Sequence, residues 1–180
     1  MSAARLLTVG HGTASEQELL DRLALGGVER LVDVRTAPGS RRHPHLGRDR
    51  LEKWLPAAGI AYRWDPRLGG FRRPAPDSPD VVWENTSFRG YAGHLRTEQA
   101  RAALADLLAD GAAAPTAFLC SETVWWRCHR RLVADAIVLL HGVPVHHLMP
   151  GRMSAHRPTP GARVAGDVLL YDDVEAARRT

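Results

Sequence analysis

Thr116-Ala-Phe-Leu-Cys120-Ser-Glu122, followed by Cys128-His-Arg130 and a helical pattern over 132–140, is the stretch that decides the fold class. A short apolar run bounded by polar residues reads as a buried strand, and the 3.6-residue spacing that follows reads as a helix. Strand and helix are joined by a segment holding both cysteines of the chain, a carboxylate, an imidazole and a guanidinium. In open α/β folds, ligands gather at the carboxyl ends of strands, so the same junction is the first candidate for a site.

Working outward, the unit recurs. Residues 6–9 read as a strand, and 16–25 as a helix with Ser15 as its cap. Residues 30–34 form a second strand and 48–58 a helix whose end Pro56 disturbs. Residues 60–64 alternate as a third strand, 88–109 are mostly helical, and 143–148 follow the central unit as a fifth strand. This repetition predicts an α/β fold: one domain over 1–180, with a mostly parallel sheet of about five strands flanked by helices. Two stretches break the pattern. Residues 68–85 are rich in Gly, Pro and Arg, long enough to be a binding loop or lid. Beyond Pro150 the chain is punctuated by Pro and Gly, and 162–171 predict a hairpin-like C-terminal extension. Residues 175–180 are expected to fray.

Composition bounds the setting. A length of 180 residues, 44% hydrophobic and 24% charged, suits a soluble globular protein. No apolar run approaches the roughly 20 residues of a membrane span. The opening Met-Ser-Ala-Ala-Arg lacks a signal-peptide pattern. A cytoplasmic protein with no membrane partner and two reduced cysteines is expected. Of the 24 basic residues only Lys53 is lysine, the signature of a GC-rich coding bias. Residues 35–73 hold ten basic and three acidic residues, +7 in a chain of net +4. Such a surface favours encounter with anions, or its arginine stems cover apolar surface.

Four strand ends carry polar residues. Gly10-His11-Gly12-Thr13 follows the first strand, with glycines that permit close backbone approach to a ligand. Asp33-Val-Arg35 ends the second, with both charges on one face. Leu68-Gly69-Gly70 follows the third, and Cys120-Ser-Glu122 ends the fourth. Parallel strands would bring these ends to one edge, making Cys120, Glu122, Cys128, His129, His11 and Asp33 the candidate catalytic groups. Gly10, Gly12, Arg35, Arg130, Gly69, Gly70 and Tyr91 are the candidate ligand-binding residues. A thiol at a helix start between Arg127 and Arg130 has a depressed pKa, so Cys128 is a candidate thiolate. Alternatively Cys120, Glu122, Cys128 and His129 form a metal site whose ligand types suit zinc or iron, although C-x7-C-H is no standard zinc spacing. A third reading takes 35–73, with Trp54, Tyr62, Trp64 and Phe71 interleaved, as a nucleic-acid-binding surface. Asp33 with Arg35 also reads as a structural ion pair, and Cys120 as a core thiol.

As a set, Gly10-His-Gly-Thr13, Asp33-Val-Arg35 with Pro38-x-Ser40, Leu68-Gly-Gly70, Phe88-Arg-Gly-Tyr91, Cys120-x-Glu122, Cys128-His-Arg130 and a late His156 resemble the DUF488 family, to about residue 165. The resemblance implies a small cytoplasmic α/β domain of bacteria and archaea, with no established activity from which catalytic residues carry over. Gly12 stands where the family usually has Ser, and Ser121 where it often has Ala.

Overall fold

The capping residues set the frame. Ser15 accepts from the Glu18 amide while the Glu18 carboxylate accepts from the Ser15 amide, a capping box that starts helix α1 (Glu16–Leu25). Its buried Leu19 and Leu23 face the sheet. In the computed structural model, which describes residues 5–179, α1 links strand β1 (Leu6–Gly10) to β2 (Arg30–Asp33). Then come α2 (Arg48–Ala57), β3 (Ala61–Trp64), α3 (Thr86–Leu95), α4 (Glu98–Ala113), β4 (Thr116–Cys120), α5 (Arg130–His141) and β5 (Val145–Met149). The chain closes with β6 (Arg152–Ala155), a small hairpin β7 (Arg163–Ala165) and β8 (Val168–Leu170), and α6 (Val174–Arg178).

The main sheet has the order β3-β2-β4-β1-β5-β6, parallel except for β6. Alternation along each strand makes two cores. Leu7, Val9, Leu31, Ala117 and Leu119 face α1 and α2, while Leu6, Val32 and Phe118 face α3, α4 and α5. Adjacent strands β1 and β4 therefore send their following helices to opposite faces. A crevice at such a switch point is where open α/β sheets bind ligands.

The sheet has six strands rather than about five. The added β6 pairs antiparallel with β5 through a turn at Gly151, whose φ is 69°. All four of its residues are exposed, so no alternating pattern marks it. The helical stretch expected over 88–109 is two helices, divided where Thr97 caps α4 by accepting from Ala100. The tail expected to fray is α6 as far as Arg178, capped by Asp173. The reading of the first residues as lacking a signal peptide falls partly on residues 1–4, outside the described ones. Among the described residues no helix is long and apolar enough to cross a membrane.

Residues 68–85 form a pinned wall rather than a loose connection. Buried Asp80 receives two bonds from Arg96, at 3.0 and 2.7 Å, and the Tyr171 amide at 3.1 Å. Gly90 of α3 lets the backbone at Arg72 sit directly on the helix, because a Cβ there would lie 2.2 Å from the Arg72 carbonyl oxygen. Gly90→Ala is accordingly expected to lower stability by about 1–3 kcal/mol as the wall is pushed off. A thermal melt indistinguishable from wild type would show that 72–73 does not rest there.

Candidate functional site

Register brings the strand ends together. Gly10 pairs with Cys120 and Asp33 with Leu119, so β1, β2 and β4 end in one row. Gly10 is required there, since a Cβ would lie 1.8 Å from the Glu122 carbonyl oxygen. The chain after Cys120 thus folds back across the end of β1 and enters the short turn Trp125–Arg127 before α5.

A cleft of about 430 Å³ opens at this row, within the usual range for small-molecule sites. Cys120, Cys128 and His129 line it, together with residues that include Gly70, Phe71 and Asn85 of the pinned wall, Tyr91 of α3, Arg35, Glu122 and Arg127. Cys120 and Cys128 are free thiols, 8% and 4% exposed. The Nδ1 atom of His129 lies 3.7 Å from each sulfur, and the three atoms lie within 4.8 Å of one another. Their surroundings push the two thiols in opposite directions. Burial raises the Cys128 pKa, but hydrogen bonds from Cys120 and His129 and the charge of Arg130 overcome it and hold it well below the ordinary thiol value. Cys120, beside that sulfur and itself desolvated, is pushed well above it. The start of α5 adds its dipole to the influences that favour a Cys128 anion.

Arg130 sets this charge from behind. Its side chain is fully buried, with Nε donating to the Cys128 sulfur at 3.4 Å, Nη1 to Thr8 Oγ1 at 3.1 Å and Nη2 to the Glu122 carbonyl at 2.5 Å. All of its donors are directed inward, so it serves the thiolate and the 122–123 turn and does not reach a ligand in the cleft. Arg127 is the exposed guanidinium on the cleft wall.

The Asp33–Arg35 pair is built as a buried fork. Arg35 Nε and Nη2 donate to the two Asp33 oxygens at 2.8 and 2.6 Å, and the Tyr62 hydroxyl adds a bond of 2.6 Å. Arg35 Nη1 donates to His11 Nε2 at 3.1 Å, so the His11 proton sits on Nδ1, which donates to the Gly12 carbonyl at 2.9 Å. Desolvation, opposed by that carbonyl bond and reinforced by Arg35, lowers the His11 pKa to about 4. His11 is thus a neutral spacer with both nitrogens engaged, which argues against a proton-moving role, and it lies behind the cleft wall together with Gly10, Gly12, Asp33 and Gly69. The Tyr91 ring packs 4.8 Å from His129 while its hydroxyl donates to Leu68 O at 2.6 Å. Glu122 is exposed at the rim, outside the sulfur–imidazole group.

Of the candidate residues, Cys120, Glu122, Cys128, His129, Arg35, Gly70 and Tyr91 meet in the cleft. The sequence reading missed Thr36, Asn85, Phe88 and Arg127 as its lining. Phe88 opens the Phe88-Arg-Gly-Tyr91 motif and the others lie beside motifs, but nothing in spacing places α3 over the end of β4. Part of the basic stretch is paired: Arg48 holds Glu52, Arg63 holds Asp65 and Asp110, and Arg67 holds Asp65 and Asp106. Trp54, Tyr62 and Trp64 spend their polar atoms on His45 O, Asp33 and Arg35 O. Phe71 alone of that aromatic set is open, 92% exposed at the cleft with φ of 61°.

No curated protein and no solved structure matches the chain. The family described as Domain of unknown function DUF488 matches over residues 15–137, leaving the Gly10–Thr13 turn and His156 outside the matched span. That span is well over half of the chain and includes Asp33, Arg35, Tyr91 and the whole Cys120–Arg130 junction, so the chain belongs to the DUF488 family.

Proposed function

We propose that the cleft is an enzyme-like site in which the Cys128 thiolate attacks a small, anionic or nucleotide-like substrate. The observation that carries this reading is the sulfur pair lining an open cleft, each sulfur 3.7 Å from His129 Nδ1, with Arg130 donating to Cys128 from behind. A thiolate rather than a thiol is the nucleophile. Cys120 supports the charge, His129 is the group placed to exchange a proton with either sulfur, and Arg127 is the cation available to an anionic substrate. Exposed Phe71 offers a flat face for stacking. A cytoplasmic, reducing setting that keeps both thiols reduced belongs to the same reading.

Iodoacetamide tests it without a known substrate, since the S–C bond forms only as the thiolate displaces iodide. At about pH 6, where an ordinary thiol of pKa near 8.5 is under about 1% ionised, Cys128 is expected to alkylate at least tenfold faster than free cysteine. Peptide mapping should place the adduct on Cys128, and Cys128→Ser should abolish it. Modification at the rate of free cysteine would remove the reading.

A second reading is favoured by one distance. Zn–S of about 2.3 Å and Zn–N of about 2.0 Å in a tetrahedron put N and S about 3.5 Å apart, close to the 3.7 Å from His129 Nδ1 to each sulfur. Zinc or iron held by Cys120, Cys128 and His129 would keep an open position toward the cleft, with Glu122 left aside. It ranks second because His129 Nε2 is buried without an acceptor among the described residues, where a ligating His normally donates. Metal content of untagged protein decides it: one ion per chain, lost in Cys120→Ser, would replace the nucleophile reading.

A further inference from the structure

Behind Arg130 runs a chain of buried polar groups that the cleft itself does not contain. Arg130 Nη1 donates to Thr8 Oγ1 at 3.1 Å. The Thr8 hydroxyl lies 2.7 Å from His147 Nδ1, His147 Nε2 lies 2.9 Å from His156 Nδ1, and His156 Nε2 lies 2.8 Å from Asp135 Oδ1. Thr8, His147, Asp135 and the His156 side chain are fully buried. A guanidinium only donates and a carboxylate only accepts, so both ends of the chain are fixed. With both imidazoles neutral, Thr8 accepts from Arg130 and donates to His147. His147 then carries its proton on Nε2 and donates to His156, which carries its own on Nε2 and donates to Asp135. Every link points the same way, from cation to anion.

The surrounding structure holds the chain in place. Asp135 also accepts from the Thr159 amide at 2.9 Å and the Tyr171 hydroxyl at 2.9 Å. The Trp125 ring stacks on His147, centroids 4.1 Å apart and planes 4° from parallel. Thr8 and His147 are register partners on β1 and β5. His156 reaches them only because β6 turns back beside β5, with its amide on the Val145 carbonyl at 2.8 Å.

We infer that Thr8, His147, His156 and Asp135 are positioning residues that aim Arg130 at the Cys128 sulfur, an inference resting on the reading of Cys128 as the reactive thiolate. The chain is not a proton wire, because the guanidinium at its head keeps its protons. It acts on orientation. With both rings neutral, His147 Nδ1 holds the Thr8 hydrogen while the single His147 proton sits on Nε2 and goes to His156, which leaves a Thr8 lone pair facing Nη1. Loss of any link releases the Thr8 hydroxyl to rotate, and Arg130 loses the contact that fixes its Nε toward the sulfur. His156 lies far along the chain from the two cysteines and touches neither, yet this places it in the same device.

The test is the pH–rate profile of Cys128 alkylation by iodoacetamide in EDTA, for wild type, Thr8→Val and Thr8→Ser. Valine keeps the shape of threonine without the hydroxyl. Thr8→Val is expected to slow Cys128 about tenfold on the rising limb of the profile, the change that follows from a one-unit rise in its midpoint. Thr8→Ser, which keeps the hydroxyl, is expected to stay within about twofold of wild type. A Thr8→Val rate equal to wild type would overturn the inference, as would a Thr8→Ser rate as slow as Thr8→Val, which would make the methyl packing the cause. If Thr8→Val does not fold, Thr8→Ala, which adds no bulk, carries the same comparison. Failure of the thiolate reading is separately visible, as a wild-type Cys128 no faster than free cysteine.

Discussion

Lowering the pH from 7 to about 4.5 is expected to destabilise the protein by about 5 kcal/mol, from two histidines alone. His11 is lowered from 6.5 to about 4 and His147 from 6.5 to about 2, each chiefly by desolvation. His11 faces Arg35, Asp33 and His43; His147 faces His156, Arg130 and His146. Both rings are neutral in the fold, and each has a nitrogen held as an acceptor, by Arg35 and by Thr8 respectively. Unfolded, both would bind a proton near pH 6.5. The unfolded state therefore binds more protons below that pH, and stability falls as the pH drops. The contribution is fully present above about pH 6.5 and is lost toward the folded-state values. At about 1.4 kcal/mol per unit, two units below the unfolded value cost about 2.7 kcal/mol for each ring. Urea unfolding at the two pH values measures it. His11→Gln, which cannot titrate, is expected to remove about half of the difference. Equal stability at both pH values would mean that neither ring is held neutral.

Arg130→Met is expected to lower stability by about 3–5 kcal/mol and to abolish the fast alkylation of Cys128. The side chain is fully buried, and four acceptors depend on it: Thr8 Oγ1, the Cys128 sulfur and the carbonyls of Glu122 and Thr123. Methionine replaces the volume but leaves those groups without donors, and removal of one member of a buried charged set costs about 3–5 kcal/mol. The carbonyls belong to the turn that crosses Gly10, so the cleft floor loosens with them. Arg127→Ala is the control. Exposed on the same turn, it is expected to change stability by less than about 0.5 kcal/mol. If Arg130→Met unfolds at the wild-type urea midpoint, the residue is not the hub its hydrogen bonds make it. The buried arginine and the exposed one, three residues apart, thus separate the framework of the site from its ligand contacts.

Local chemistry was enough to read much of this molecule. Ser15 with Glu18, the apolar runs around 6–9, 30–34 and 116–119, and the helical spacing after Cys128 each determine their own segment, because capping and periodicity act within a few residues. From them follow the parallel sheet and a row of polar strand ends holding Cys120, Asp33 and the Gly10 turn. The sequence by itself also marks Cys128 as a thiol at a helix start. Strand β6 was not legible, because its four residues are all exposed and owe their conformation to pairing with β5. Nor was the division of labour at the site. Sequence offers His11, His129 and Arg130 as equivalent and leaves Arg35 between a ligand contact and an ion pair with Asp33, and packing decides that Arg35 is spent on Asp33, His11 on Arg35, and Arg130 on a sulfur and two carbonyls. His147, His156 and Asp135 come from a strand, a segment after a turn and a mid-helix position, and they meet only through the order β1-β5-β6. The physical reason is desolvation. A polar side chain excluded from water must find a partner wherever the tertiary structure puts one, so partners far apart in sequence are set by the fold and are invisible to spacing.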